Sequence, residues 1–229
     1  MLGSMSQLST ALQRTTDARG PLKDWPILLI SVVLVGSFVF QVFVLRGRAA
    51  DFGISAQSLK EGRWWTLVTS MFIHAGLFHL LMNVSALSIG APVYRRLGRG
   101  LRGTLLFFFL YFTCGLVGGL AFVALNPQGT IPAVGASGAI FGLWGALARI
   151  GPRDDAIDRL FSKAVGQHVV EAIKQNLILI AVLVLLGFLA RGAPLMLAWQ
   201  AHAGGFLAGL VLIVPLLRLR ALGEKGAIA

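Results

Sequence analysis

Three scarcities frame this 229-residue chain: one cysteine, nine acidic residues, and charged residues amounting to only 13% of the whole. The lone Cys114 excludes an intrachain disulfide, and its place inside an apolar run reads as core packing. An ordinary soluble domain is about 25% charged. Half that share, with 56% hydrophobic residues and a mean hydropathy of +0.80, marks an integral membrane protein. No Asp or Glu falls in any of the apolar runs delimited below, which excludes proteolysis by a pair of membrane aspartates. The chain has no H-E-x-x-H, so the ordinary zinc-hydrolase pattern is missing, and neither metal nor cofactor is expected. It has no internal repeat and no ionisable relay across the runs, against a transporter.

The net charge of +11 does not point to nucleic acid, because the basic residues punctuate the apolar runs as membrane loops do. Residues 1–24 are polar, without the apolar h-region of a signal peptide, and are expected to form a cytoplasmic tail. Pro26–Leu45 gives 20 nearly uninterrupted apolar residues, the length of one span. Arg46–Ile73 mixes charges with Phe52, Trp64, Trp65 and Phe72, the composition of a long interfacial loop. Further spans are expected over Leu77–Val93, Thr104–Leu125, Ser137–Ala148, Ile173–Ala190 and Ala201–Leu217, with the fourth short and the fifth ragged around Lys174. Of the 20 Lys and Arg, 15 then lie on the side of both termini; five (Arg46, Arg48, Lys60, Arg63, Arg191) lie opposite. The positive-inside rule makes both termini cytoplasmic. One helical membrane domain over residues 25–221 is expected, with a C-terminal cytoplasmic tail over 222–229.

Polar groups inside spans are costly and are functional candidates by default. Here they are His79 and Asn83 in the second span, Ser137 opening the fourth, and His202 opening the sixth. Each of these spans ends in an arginine: Arg95, Arg149 and Arg218. Counting back at 1.5 Å per residue puts Asn83 and Ser137 about 18 Å above that boundary, and His79 and His202 about 24 Å above it. All four fall in one layer of the outer half of a core about 30 Å thick. His79 and Asn83 share a helix face at i and i+4. Gly138-x-x-x-Gly142 and Gly205-x-x-x-Gly209 are small faces of the kind that let membrane helices approach closely. If these faces meet, Ser137 and His202 come within hydrogen-bond reach.

Such a pair supports nucleophilic acyl transfer. His202 accepts the Ser137 proton and returns it to the leaving amine. The Asn83 amide, a His79 N–H and the Ser137 backbone N–H are suitable oxyanion donors. With no carboxylate in a span, the constellation reads as a dyad. A scaffold that binds helices without cutting them is the rival reading. A His74–His79–His202 metal site is a weaker one, for want of a carboxylate.

The stretches His74-Ala-Gly-Leu-Phe-His79-Leu-Leu-Met-Asn83, Gly135-Ala-Ser137-Gly138 and Ala201-His202-Ala-Gly-Gly205-Phe-Leu-Ala-Gly209 together resemble the rhomboid family of intramembrane serine proteases. The resemblance covers about Trp25 to Ala221. It implies an all-α membrane protein, a six-transmembrane-helix bundle with a short central fourth helix and a long interfacial first loop, without a cofactor. It implies Ser137 as nucleophile, His202 as base, His79 and Asn83 as oxyanion donors, and Phe141 stacked on the catalytic histidine. Gly135, Gly138, Gly205 and Gly209 are the supporting glycines of the motifs. His74 is assigned to structure, tying down the first loop. The fifth helix and the Leu195–Trp199 loop would be gate and cap. The substrates implied are single-span or other transmembrane proteins in the lipid bilayer, with no nucleic acid partner. The location implied is a bacterial inner (plasma) membrane; oligomeric state is not readable. Two departures stand out. The family's frequent Trp-Arg pair is Trp65-Thr66 here, and its frequent acidic residue at the cytoplasmic end of the second helix is Tyr94. His168 is expected in a solvated cytoplasmic loop, and Trp144 in lipid or core contacts.

Overall fold

The computed structural model describes residues 24–150, 157–189 and 197–226, and within these the chain is helical apart from loops and two isolated bridges. Its helices are α1 (Trp25–Phe40), α2 (Ala56–Lys60), α3 (Thr66–Thr69), α4 (Leu77–Ala86), α5 (Gly90–Leu97), α6 (Leu101–Leu125), α7 (Ser137–Ala148), α8 (Lys163–Leu189) and α9 (Trp199–Gly226). The segments Trp25–Leu45, Leu77–Leu97, Leu101–Leu125 and Trp199–Leu222 are long and apolar enough to cross a membrane; Ser137–Ala148 is a shorter apolar helix. This is an integral membrane protein. Residues 1–23 of the expected tail lie outside the described residues, as do residues 190–196, which include the first two positions of the expected 195–199 cap loop.

Element boundaries depart from expectation where polarity hides a helix. α8 begins at Lys163, ten residues before the predicted fifth span, so His168 is helical rather than in a loop. The early turns of α8 are amphipathic: Val165, Val169 and Ala172 pack on Phe141, Trp144 and Phe206, while Glu171 and Lys174 form an exposed ion pair. A hydropathy run cannot see such a stretch, since only one face is apolar. α9 continues to Gly226, past the predicted start of the tail, and takes Pro215 within it.

α7 is the hub, packed between α6 and α9 and buried along nearly its whole length. Lipid offers no hydrophobic drive for helices to associate, so close backbone packing has to supply it. Glycine permits that here. A Cβ on Gly205 would overlap the Gly138 carbonyl, one on Gly209 the Gly142 carbonyl, and one on Gly145 the Phe206 carbonyl. The two small-residue faces therefore meet, with Cys114 of α6 against Gly142. We expect Gly205→Ala to lower stability by about 1–3 kcal/mol through overpacking. Gly36→Ala, on a face with nothing within 4 Å, should be neutral or better. Denaturant titration in detergent, followed by circular dichroism, checks this. Equal stability of the two variants would contradict the packing account.

The first loop is folded rather than slack. Ser55 and Ser58 form a reciprocal cap on α2, and Ser58 and Thr66 hydroxyls lie 3.2 Å apart. Thr66 also donates to the Arg63 carbonyl at 2.7 Å and is fully buried. At the Trp65-Thr66 departure the structure thus holds a neutral, buried hydroxyl with its hydrogen bonds made. Arg63 instead grips Glu61 and the Asp51 carbonyl. The Gln57 amide, and next Arg63, hold the Glu61 carboxyl below its usual pKa. Trp64 and Trp65 are left exposed, as an interfacial loop requires. At the other end of the second span, Tyr94 is fully buried with its hydroxyl 3.1 Å from that of Thr104. Asp24 pairs with Arg95 across the start of α1. The helix end thus has an acidic partner, supplied from elsewhere in the chain.

Candidate active site

Ser137 is the first residue of α7, and its position there follows from the loop before it. Ile54 and Ala133 exchange backbone hydrogen bonds of 3.0 and 2.8 Å, and the Gly135 N–H donates to the Ser70 carbonyl at 2.8 Å. The first loop therefore holds the approach to the serine at two points. Gly135 has φ +113°, a conformation costly for any other residue. A side chain there would also run into the His79 ring, 2.6 Å from Cε1 and 2.8 Å from Nε2. The ring of His79 thus lies against the backbone two residues before Ser137.

His202 enters from the first turn of α9. Its Nε2 lies 2.8 Å from the Ser137 Oγ, and the backbones approach closely beside the pair, where Gly138 follows Ser137 and Gly205 lies about one turn after His202. The imidazole is almost wholly buried, while Ser137 is partly exposed, so the hydroxyl stands forward of the ring. Phe141, one turn below Ser137, stacks on His202 with ring centroids 4.2 Å apart and planes 7° from parallel. Trp144 and Phe206 back that stack, so Trp144 belongs to the core rather than to the lipid face. The second imidazole nitrogen, Nδ1, lies 2.7 Å from the Asn176 Oδ1 on α8.

On α4, the His79 Nδ1 accepts the Ala75 N–H at 3.3 Å, which leaves the proton of a neutral ring on Nε2, the nitrogen facing Gly135. Asn83 is buried one turn on; its Nδ2 donates to the His79 carbonyl at 2.8 Å. An amide carries two N–H donors, so one remains. His74 is fully buried beside His79, ring centroids 5.3 Å apart. Its tie to the chain runs through its backbone, whose N–H and carbonyl bond the Gln41 side chain at 3.0 and 2.6 Å. Among the described residues neither ring nitrogen of His74 has a hydrogen-bond partner, so the expected tie from His74 to the first loop is not seen; the contact is main-chain and goes to Gln41, inside the expected first span.

A hydrogen-bonded serine–histidine pair at the mouth of an apolar helix, its imidazole buried and its hydroxyl partly exposed, can generate an alkoxide-like nucleophile, and the N–H groups of a helix N-terminus are suited to anions. A family model described as Rhomboid domain matches residues 61–219, well over half the chain. The chain belongs to the rhomboid family. It is 31% identical over 173 residues to the rhomboid protease GluP of Bacillus subtilis, covering 72% of this chain and 32% of GluP. It is 32% identical over 162 residues to RHOMBOID-like protein 5 of Arabidopsis thaliana, covering 70% of this chain and 47% of that protein. Inactive RHOMBOID-like protein 8 of the same plant is 34% identical over 97 residues, 42% of this chain and 26% of that protein. The rhomboid chain described here thus spans a half or less of these relatives' lengths.

Two contacts of this rhomboid site escape sequence reasoning. Asn176 sits in the Lys174-Gln175-Asn176 run, whose polarity reads as the ragged start of a span. The one signal for it is a neutral amide two residues inside charged Lys174, at the edge of an apolar stretch. Gln41 gives less: one amide at the end of a long apolar run looks like an ordinary interface residue.

Proposed function

We propose that this chain is an intramembrane serine endopeptidase that cuts transmembrane segments of membrane proteins near the outer membrane face. The observation that carries the reading is the 2.8 Å hydrogen bond between Ser137 Oγ and His202 Nε2 at the partly exposed end of a buried helix. In the proposed reaction Ser137 Oγ attacks the scissile carbonyl carbon as its proton passes to His202 Nε2. The oxyanion is stabilised by His79 Nε2–H, the remaining Asn83 N–H and the Ser137 backbone N–H. Collapse breaks the C–N bond while His202 gives its proton to the leaving amine. Water then attacks the acyl-serine, losing a proton to His202, and the serine is regenerated. No cofactor enters. The metal reading is disfavoured by geometry, since both nitrogens of His202 are already engaged, by Ser137 and Asn176.

The substrates would be single-span or other transmembrane proteins. Six spans with both termini in the cytoplasm of a bacterial inner membrane is the topology we propose, α7 and α8 being two of the six. The charge asymmetry of 15 against five basic residues supports it. Single-cysteine labelling in a Cys114-free background should find positions 100, 160 and 225 inside and 55 and 130 outside. N- and C-terminal tags on opposite faces would contradict the six-span arrangement.

The rival is a rhomboid-like scaffold that binds helices without cutting them. Incubating the purified chain with a panel of single-span proteins, in detergent and in liposomes, separates the two. Products of one defined cleavage, absent with Ser137→Ala, are expected. Binding without any product across the panel would favour the scaffold.

A further inference from the structure

We propose that Asn176 is a third member of the catalytic constellation, a positioning residue that fixes the tautomer and orientation of His202. The inference rests on the proteolytic reading above and adds a residue to it. The Asn176 amide is itself oriented: its Nδ2 donates to the Ala172 carbonyl one turn back at 2.9 Å, which turns Oδ1 away from its own helix. That oxygen lies 2.7 Å from His202 Nδ1. An amide oxygen only accepts, so Nδ1 must carry the proton. The Nε2 lone pair then faces the Ser137 hydroxyl 2.8 Å away, the tautomer a general base requires. As His202 gains a second proton, Asn176 continues to accept from Nδ1 and the bond becomes charge-assisted. A neutral amide performs this without placing a carboxylate in the membrane, where burial of charge is costly.

The position of Asn176 adds a consequence. The base stands on α9 and the nucleophile on α7, but the orienting amide comes from α8, whose described contacts with α7 and α9 are concentrated in its first turns at Val165, Val169 and Ala172. Movement of α8 at Asn176 would release the His202 ring.

The test uses the full chain in detergent micelles. With only four histidines in the sequence, ¹⁵N-histidine labelling reads the His202 tautomer directly, with His202→Ala giving the assignment. Wild type should show Nδ1–H; Asn176→Leu, close in volume but unable to accept, should show exchange between tautomers. Serine labelling by a fluorophosphonate, and kcat for a cleaved protein, should each fall about 10- to 100-fold in Asn176→Leu, as loss of one hydrogen bond to a charging group implies. KM should change little. Asn176→Asp should restore most of the rate. Its carboxylate would favour the imidazolium, so the acid limb of the pH profile should move to higher pH. The other groups around His202 do not account for such a shift. His79 is its titratable neighbour from α4, α7 has no ionisable side chain, Cys114 of α6 is buried, and the nearest charges of α8 are the exposed Glu171–Lys174 pair. A folded Asn176→Leu with the wild-type rate, pH profile and tautomer overturns the proposal. So does an Asn176→Asp that restores nothing and leaves the pH limb in place. If wild type fails to label at all, the proteolytic reading falls, while the tautomer measurement still decides whether Asn176 holds the ring.

Discussion

His79→Ala and Asn83→Ala should each lower kcat for cleavage about 10²–10³-fold, the usual loss on removing one oxyanion donor, with a smaller effect on substrate binding. The reason lies in how the two side chains are tied. The Ala75 N–H occupies His79 Nδ1 and so reserves the donor for Nε2, which lies against Gly135, two residues before Ser137. Asn83 spends one N–H on the His79 carbonyl and keeps the other. Its removal would therefore take away a donor and loosen the turn that aims His79. Coupled residues of this kind do not add, so the double variant should be less impaired than the product of the two single losses. Steady-state kinetics on any cleaved single-span protein checks this. Two variants at the wild-type rate would mean that this face of α4 does not meet the reacting carbonyl.

Much of this site was legible in the sequence because membrane burial makes polarity expensive. Ser137, His202, His79 and Asn83 stand out as the rare polar residues of long apolar runs, and arginines at the span ends allow their depths to be compared. The Gly138/Gly142 and Gly205/Gly209 spacing similarly foreshadows the approach of α7 and α9, because only small residues permit backbones that close. The rest was illegible for an equally physical reason. Asn176 and Gln41 act across 26 and 33 residues of chain. Each lies where an apolar run shades into polarity, so nothing local separates them from boundary residues. Lys163–Ala172 reads as loop because its burial is one-sided. The Tyr94–Thr104 and Asp24–Arg95 contacts show the same limit: a motif departure names the missing group but not the contacts found at that helix end.

The largest effect expected of any single change is at Ser137. Its hydroxyl is an ordinary alcohol until a base takes the proton, so chemical reactivity toward a serine-directed electrophile reports the hydrogen bond to His202 without knowledge of any substrate. Phe141 stacks on the buried His202 ring 2.8 Å from the serine. Only the neutral imidazole can accept, so reactivity should decline as pH falls and His202 takes a proton.

Fluorophosphonate labelling of the purified, folded chain, mapped by peptide mass spectrometry, is therefore the most direct measurement of the pair. Modification is expected on Ser137 alone, absent in Ser137→Ala, strongly reduced in His202→Ala, retained in a folded His74→Ala and indifferent to chelators. Wild-type protein that stays unlabelled at every pH, or a His202→Ala variant that labels at the wild-type rate, would contradict a Ser137–His202 catalytic pair.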